Sequence, residues 1–209
     1  MVGRIIKTEA CVAEGADWLA SQDDRFKRAL EITGPLPTRL RKDGFDQLLS
    51  AIVSQQVSVA AARAIWKRMR DAKLTGPRKV MWATEEELRA VGLSRQKVRY
   101  AKALAEARIN FKDLRDASNA EIIKTLTEVS GIGVWTAEIY AMFSLGRADV
   151  FAPGDLALQE SARILFDLDK RPTEKQLRAM SEAWSPWRSV AARLLWAYYH
   201  VEKQREGIT

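Results

Sequence analysis

Apolar residues recur at helical spacing along almost the whole chain, and nowhere do they settle into the alternation of a strand. Leu48, Leu49, Ile52, Val53 and Val57 keep one helix face; Ile122, Ile123, Leu126 and Val129 keep another; Trp187, Val190, Leu194 and Tyr198 keep a third. Ser58, Thr84, Ser94, Ser118 and Thr173 each stand just before a helical segment, where a short oxygen-bearing side chain satisfies an unpaired amide. Stops come at Gly34-Pro-Leu-Pro37, Gly76-Pro77, Gly92, Gly131-Ile-Gly133, Gly146, Pro153-Gly154 and Ser185-Pro186. These signals predict an all-α fold of about ten helices joined by short loops.

Composition then removes whole classes of chemistry. The 209 residues hold one cysteine, Cys11, and one histidine, His200. A disulfide framework, a multi-cysteine zinc site and an iron–sulfur cluster on four thiolates are therefore excluded. Any Ser-His-Asp triad or histidine metal site would have to pass through His200, and both residues read as structural or incidental. No apolar run approaches the ~18 residues that cross a bilayer, so no membrane partner is expected. Met1-Val-Gly-Arg-Ile-Ile-Lys lacks an apolar core and cleavage site, which predicts a non-secreted, cytoplasmic protein, nucleoid-associated if bacterial. The net charge of +7 favours a polyanionic partner, and the seven tryptophans are split between core packing and possible stacking on bases.

Val129-Ser-Gly-Ile-Gly-Val-Trp-Thr-Ala137 is the most specific local motif. Two glycines flank one apolar residue between two helices. Glycine allows positive φ and close backbone approach, and the amides opening the next helix point outward toward a potential phosphate. Contacts of that kind are blind to base sequence. Ile132 would pin the turn into the core. A tight corner whose glycines merely stop helices explains the same pattern. The segment from Glu87 through Gly92 and Ser94-Arg-Gln-Lys97 repeats the helix, glycine turn, helix order.

Downstream, Val150-Phe-Ala-Pro-Gly-Asp-Leu-Ala-Leu158 sets Asp155 at the start of an apolar helix. Asp155 is an N-cap on this reading. The same position also suits a poised carboxylate, because the positive end of a helix favours negative charge, and such a group can stabilise a cationic sugar.

Four motifs in order carry a family resemblance: Phe45-Asp-Gln-Leu-Leu-Ser-Ala-Ile-Val-Ser-Gln-Gln-Val-Ser58, Gly131-Ile-Gly-Val-Trp135, Phe151-Ala-Pro-Gly-Asp155 and Trp184-Ser-Pro-Trp-Arg-Ser-Val-Ala-Ala-Arg-Leu-Leu-Trp196. From about Glu14 to His200 the chain resembles the helix-hairpin-helix, Gly/Pro-Asp superfamily of DNA glycosylases, nearest the DNA-3-methyladenine glycosylase II branch of alkylation repair. The resemblance implies two helical lobes flanking a cleft, one spanning about 42–148 with the hairpin at 126–145, the other about 1–41 plus 149–209.

It further implies that Asp155 is the catalytic carboxylate and that a damaged base is flipped out of duplex DNA. The lyase-competent branch has a lysine where this chain has Trp135, so a monofunctional enzyme without AP-lyase activity is implied. Trp135 resembles a pocket tryptophan of the alkylpurine branch, and an indole face suits a cationic alkylated purine. Trp196 falls at a second base-stacking position. The helix pattern leaves open whether Ala192, Trp196 and Tyr199 form a separate apolar stripe or the helix is buried all round. A pocket aromatic of the branch is Ile139 here, with Tyr140 beside it, which leaves the lesion range open. Gln56, with Gln55 next to it, matches the residue that plugs the duplex gap.

Backbone amides at Gly131, Gly133 and Val134, with Ser94, Arg95 and Lys97 in the second turn, are the expected phosphate contacts. Carbonyls of Thr127, Val129 and Ile132 match those holding a structural monovalent cation in some relatives; no catalytic metal or other cofactor is expected. The partner is damaged double-stranded DNA and the protein a monomer. Two other readings remain: a non-catalytic DNA-binding module, and a glycosylase for uracil, hypoxanthine or an oxidised purine. The five tryptophans other than Trp135 and Trp196 are assigned to packing.

Overall fold

The local signals act where expected. Ser58 accepts from the Ala61 amide, Thr84 from Glu87, Ser94 from Lys97, Ser118 from Glu121 and Thr173 from Gln176, each capping a helix. Three of them form reciprocal capping boxes with Glu87, Glu121 and Gln176. A computed structural model describes residues 2–203. Among these, the elements are α1 (Glu9–Gln22), α2 (Asp24–Thr33), α3 (Phe45–Ser54), α4 (Val59–Asp71), α5 (Pro77–Trp82), α6 (Glu85–Ala90), α7 (Arg95–Glu106), α8 (Phe111–Asp116), α9 (Asn119–Thr127), α10 (Val134–Phe143), α11 (Leu156–Leu165), α12 (Glu174–Met180), a 3-10 turn (Ser181–Trp184) and α13 (Arg188–Lys203). The all-α class is correct; outside the helices the described residues show an isolated antiparallel bridge between Ile5 and Arg147. The helices exceed the ten expected because α5, α6 and α8 have six residues each, under two turns, and show no readable period.

The described residues divide into two compact units, Gly3–Leu40 with residues 141–203, and Arg41–Tyr140 with Val2. In the Arg41–Tyr140 unit, α7 packs on α3, α5 and α6, and α3 also packs on α4. Leu48, Leu49, Ile52, Met69, Val80, Leu88 and Ala101 are buried in it.

In the other unit, α13 packs on α1, α2 and α11. Gly15 of α1 lies so close to α13 that a Cβ would collide with Trp187 and Val190. Phe26, Phe151, Phe166 and Trp184 form an aromatic cluster with ring centroids 5.2–5.7 Å apart, mixing edge and stacked pairs. The division falls after Tyr140 rather than near residue 148. Residues 141–148 belong with the N-terminal segment because the Ile6 amide donates to the Gly146 carbonyl (2.7 Å), the Ala148 amide to Arg4 (3.0 Å) and the Ser189 amide to Ala148 (2.8 Å).

The stripe reading of α13 does not hold. Ser189 through Trp196 are buried on every side of the helix. Its buried polar groups are paired accordingly: Arg193 donates to the Thr38 carbonyl through Nε (3.1 Å) and Nη2 (2.8 Å) and to the Ser189 carbonyl and hydroxyl through Nη1, and its guanidinium lies 4.8 Å from the Phe143 ring centre.

Candidate functional site

Pro153 and Gly154 turn the chain sharply, with the Asp155 amide returning to the Ala152 carbonyl (3.0 Å), so that Asp155 becomes the N-cap of α11. Gln159, one turn along and buried, donates from Nε2 to the Pro153 carbonyl (2.8 Å) and fixes the turn from inside. Three N–H groups converge on one carboxylate oxygen of Asp155. Oδ1 accepts from the Ala157 amide (3.0 Å), the Leu158 amide (3.1 Å) and the Trp196 indole Nε1 (3.2 Å). The residue is 7% exposed, which makes the carboxylate's orientation a property of the fold rather than of solvent.

The α11 and α13 helices that supply this arrangement are tied together by Ser161, whose hydroxyl donates to the Leu195 carbonyl (2.7 Å). Upstream, Asp149 receives Arg188 Nε (2.6 Å) and Nη2 (2.9 Å) together with the Ser185 hydroxyl (2.9 Å), fastening the approach to the turn onto the start of α13. Burial works against the Asp149 carboxylate, but the hydrogen bonds and charge of Arg188 outweigh it and hold its pKa below the usual range.

Trp196 therefore has a job that its position as a stacking residue did not foretell. It has no exposed surface; its edge holds Asp155, the Phe143 ring lies 5.7 Å away at a 35° tilt, and the Arg39 guanidinium stands 6.0 Å from its ring centre. Gln159 and Ser161 were missed by the sequence reading. Gln159 was legible in principle, being one helical turn beyond the candidate acid.

In the other unit, α9 and α10 flank the glycine turn. Gly131 has φ +95°, and a Cβ there would run into the Tyr100 ring, so glycine is demanded twice. Ile132 is buried and its amide donates to the Val129 carbonyl (3.0 Å). Gly133, Val134 and Trp135 lie on the surface at the start of α10, Trp135 with 40% exposure. Tyr140 is buried, and its hydroxyl accepts from the Gly44 amide (2.8 Å); burial pushes its pKa far above the ordinary phenol value. Ile139 beside it is buried as well.

The second turn matches the first in form: Gly92 has φ +105° and Ser94 caps α7, with Ser94 and Arg95 exposed. Lys97 departs from expectation. It is 9% exposed and its ammonium donates to the Val53 carbonyl at 2.6 Å, so it faces the protein and not a phosphate; desolvation pulls its pKa down. Gln56 is exposed with φ +54°, whereas Gln55 turns inward and donates to the Gly131 carbonyl (2.9 Å). Trp82, assigned to packing, is instead 83% exposed. Cys11 is partly exposed and His200 exposed, in the last turn of α13.

A family model described as HhH-GPD superfamily base excision DNA repair protein matches residues 49–187, a stretch that takes in the glycine hairpin and Asp155. The chain belongs to this superfamily. Among HhH-GPD relatives, DNA-3-methyladenine glycosylase 1 of Schizosaccharomyces pombe is 34% identical over 190 residues, covering 85% of this chain and 83% of its own. The crystal structure of a DNA-3-methyladenine glycosidase from Bacillus halodurans superposes with a TM-score of 0.82 at 33% identity, covering 97% of this chain and 95% of that one. The S. pombe 3-methyladenine DNA glycosylase in complex with abasic DNA superposes with a TM-score of 0.76 at 31% identity, over 91% and 97% of the two chains.

No group of three or more His, Cys, Asp or Glu side chains suited to a metal ion occurs among the described residues of this HhH-GPD chain. The carbonyls of Thr127, Val129 and Ile132 are uncharged oxygen ligands of the kind a hard cation takes. Val129 already accepts from Ile132 and has a second lone pair to give. No helix among the described residues is long and apolar enough to cross a membrane.

Proposed function

We propose that this protein is a monofunctional DNA glycosylase of base excision repair that removes alkylated purines of the 3-methyladenine or 7-methylguanine type from duplex DNA. The observation that carries the reading is the Asp155 carboxylate, nearly buried at a helix start and clamped through Oδ1 by three N–H donors, in a chain of the HhH-GPD superfamily. The clamped carboxylate is the group assigned to the reacting sugar or its attacking water. A fixed carboxylate stabilises the oxocarbenium-like sugar as the bond from C1′ to the base nitrogen breaks, without reorganising at that moment. Water then completes the displacement at C1′ and the strand stays intact.

The remaining roles rest on position. Exposed Trp135 opens α10 with an electron-rich face for a cationic base, a match worth more once desolvated. No amine stands at that point to form an imine. Gln56 fills the gap left in the duplex, and the amides of Gly131, Gly133 and Val134, with Ser94 and Arg95, hold phosphates. A monovalent cation on the carbonyls of Thr127, Val129 and Ile132 would stiffen the hairpin. The enzyme acts as a monomer on damaged duplex in the cytoplasm, or on the nucleoid of a bacterium.

Incubation with duplexes carrying single 7-methylguanine, 3-methyladenine, uracil, hypoxanthine or 8-oxoguanine tests this. Free alkylpurine should appear, with strand breakage only after alkali and no borohydride-trapped adduct. Salt-sensitive binding without release of any base would identify a binding module instead. Release confined to another lesion would reassign the substrate.

A further inference from the structure

The α3 helix ends at Ser54, and α4 begins only after Ser58, so Gln55, Gln56 and Val57 form a short crossing between them, exposed at Gln56 and Val57. Two side-chain hydrogen bonds within the same unit hold this crossing. The Lys97 ammonium donates to the Val53 carbonyl (2.6 Å), meeting a helix C-terminus whose last carbonyls lack internal partners and carry the negative end of the dipole. Gln55 Nε2 reaches across to the glycine hairpin and donates to the Gly131 carbonyl (2.9 Å).

The Gly131–Ile132 peptide is consequently pinned at both ends. Its carbonyl receives Gln55, and its N–H donates to the Val129 carbonyl (3.0 Å). A peptide plane held from two sides cannot rotate, and the amides of Gly133 and Val134 follow directly after it. On the other side of the link, Gln55 is extended (φ −61°, ψ 133°) with its side chain turned to the hairpin. Gln56 then takes φ +54°, a left-handed conformation that costs a non-glycine residue free energy and persists only where its surroundings impose it.

We propose that Gln55 is not part of the duplex wedge but a positioning residue: its side-chain amide, anchored on the Gly131 carbonyl, sets the backbone of the crossing so that Gln56 is presented for insertion into the duplex gap. This rests on the glycosylase reading for the role of Gln56. It assigns the two neighbouring glutamines opposite tasks, one facing the protein and one facing DNA. Glutamate at position 55 has the same shape but presents an oxygen to the Gly131 carbonyl and cannot donate to it.

Binding to two duplexes that differ only in a central tetrahydrofuran abasic-site analogue tests the assignment without needing turnover. Gln55→Glu should lose about tenfold of the wild-type preference for the abasic duplex, the worth of one net hydrogen bond, while its affinity for intact duplex stays within about twofold. Gln56→Ala should lose a similar preference, and adding Gln56→Ala to Gln55→Glu should cost nothing more. Gln55→Met, which keeps bulk without a donor, should repeat the result, and thermal melting of each variant checks the fold. Unchanged preference, a parallel loss on intact duplex, or additive losses with Gln56 would overturn the proposal. A wild-type protein that prefers the abasic duplex but releases no base defeats the glycosylase reading and leaves Gln55 standing. One that releases alkylpurine yet shows no abasic preference does the reverse.

Discussion

The indole Nε1 of Trp196 donates to Oδ1 of Asp155 across 3.2 Å, joining residues 41 positions apart in a buried contact. A tryptophan that suits base stacking by its place in the motif thus serves the carboxylate by its edge. Trp196→Phe keeps a ring of similar size and removes the donor. Hydrogen bonds to charged groups are worth ~1.5–3 kcal/mol, so single-turnover base release should fall roughly ten- to hundredfold with DNA affinity little changed. Equal losses in release and in affinity would return Trp196 to a stacking role.

Asp155 has a structural and a chemical task that substitution separates. Asparagine caps helices as well as aspartate, so Asp155→Asn should melt within a few degrees of wild type while base release drops by at least about a hundredfold. Asp155→Ala should lose activity and also about 1 kcal/mol of stability. Retained turnover in the asparagine variant would remove this carboxylate from the reaction.

Lys97 and Arg95 lie two residues apart but should behave as different kinds of residue. Arg95 is exposed at the start of α7, with Glu85 as a distant ion-pair partner at 3.9 Å. Its removal should flatten the dependence of log affinity on log salt by about one unit, whereas Lys97→Met should leave that slope alone.

The same lysine gives a pH signature. Burial lowers its pKa in the folded protein, so in the window between that lowered value and the unfolded value of about 10.4 the unfolded chain binds more protons. Stability contributed through Lys97 therefore rises with pH across this window. Denaturant melts between neutral and alkaline pH should show the rise in wild type and its absence in Lys97→Met.

Cys11 sits in the first turn of α1, where the backbone at Lys7, the Thr8 hydroxyl and the Thr8 backbone hydrogen-bond to its sulfur and bring its pKa down to about 7. Iodoacetamide should react at half its maximal rate near that pH, and Thr8→Ala should move the midpoint upward. A midpoint near the ordinary thiol value of about 8.5 would show that the helix start does not act on this group.

What was legible in the sequence is what local chemistry controls. Ser58, Thr84, Ser94, Ser118, Thr173 and Asp155 cap their helices through atoms two or three residues away, and Gly131 takes positive φ inside its own turn. Such interactions close within one helical turn, so residue type and spacing suffice to specify them. The all-α class and the ordered motifs around Asp155 were determined at that level.

Tertiary structure decided where the long side chains go. Lys97 follows Arg95 in a basic turn yet reaches Val53; Trp82 is left exposed; Trp196 meets Asp155; Gln55 turns to Gly131 while Gln56 does not. A lysine or glutamine has several rotatable bonds and can satisfy its polar head in water or against a distant carbonyl with little difference in local energy. Only the packing of α3, α7 and the hairpin within one unit, and of α11 on α13 in the other, brings a particular acceptor within hydrogen-bonding distance and settles the choice.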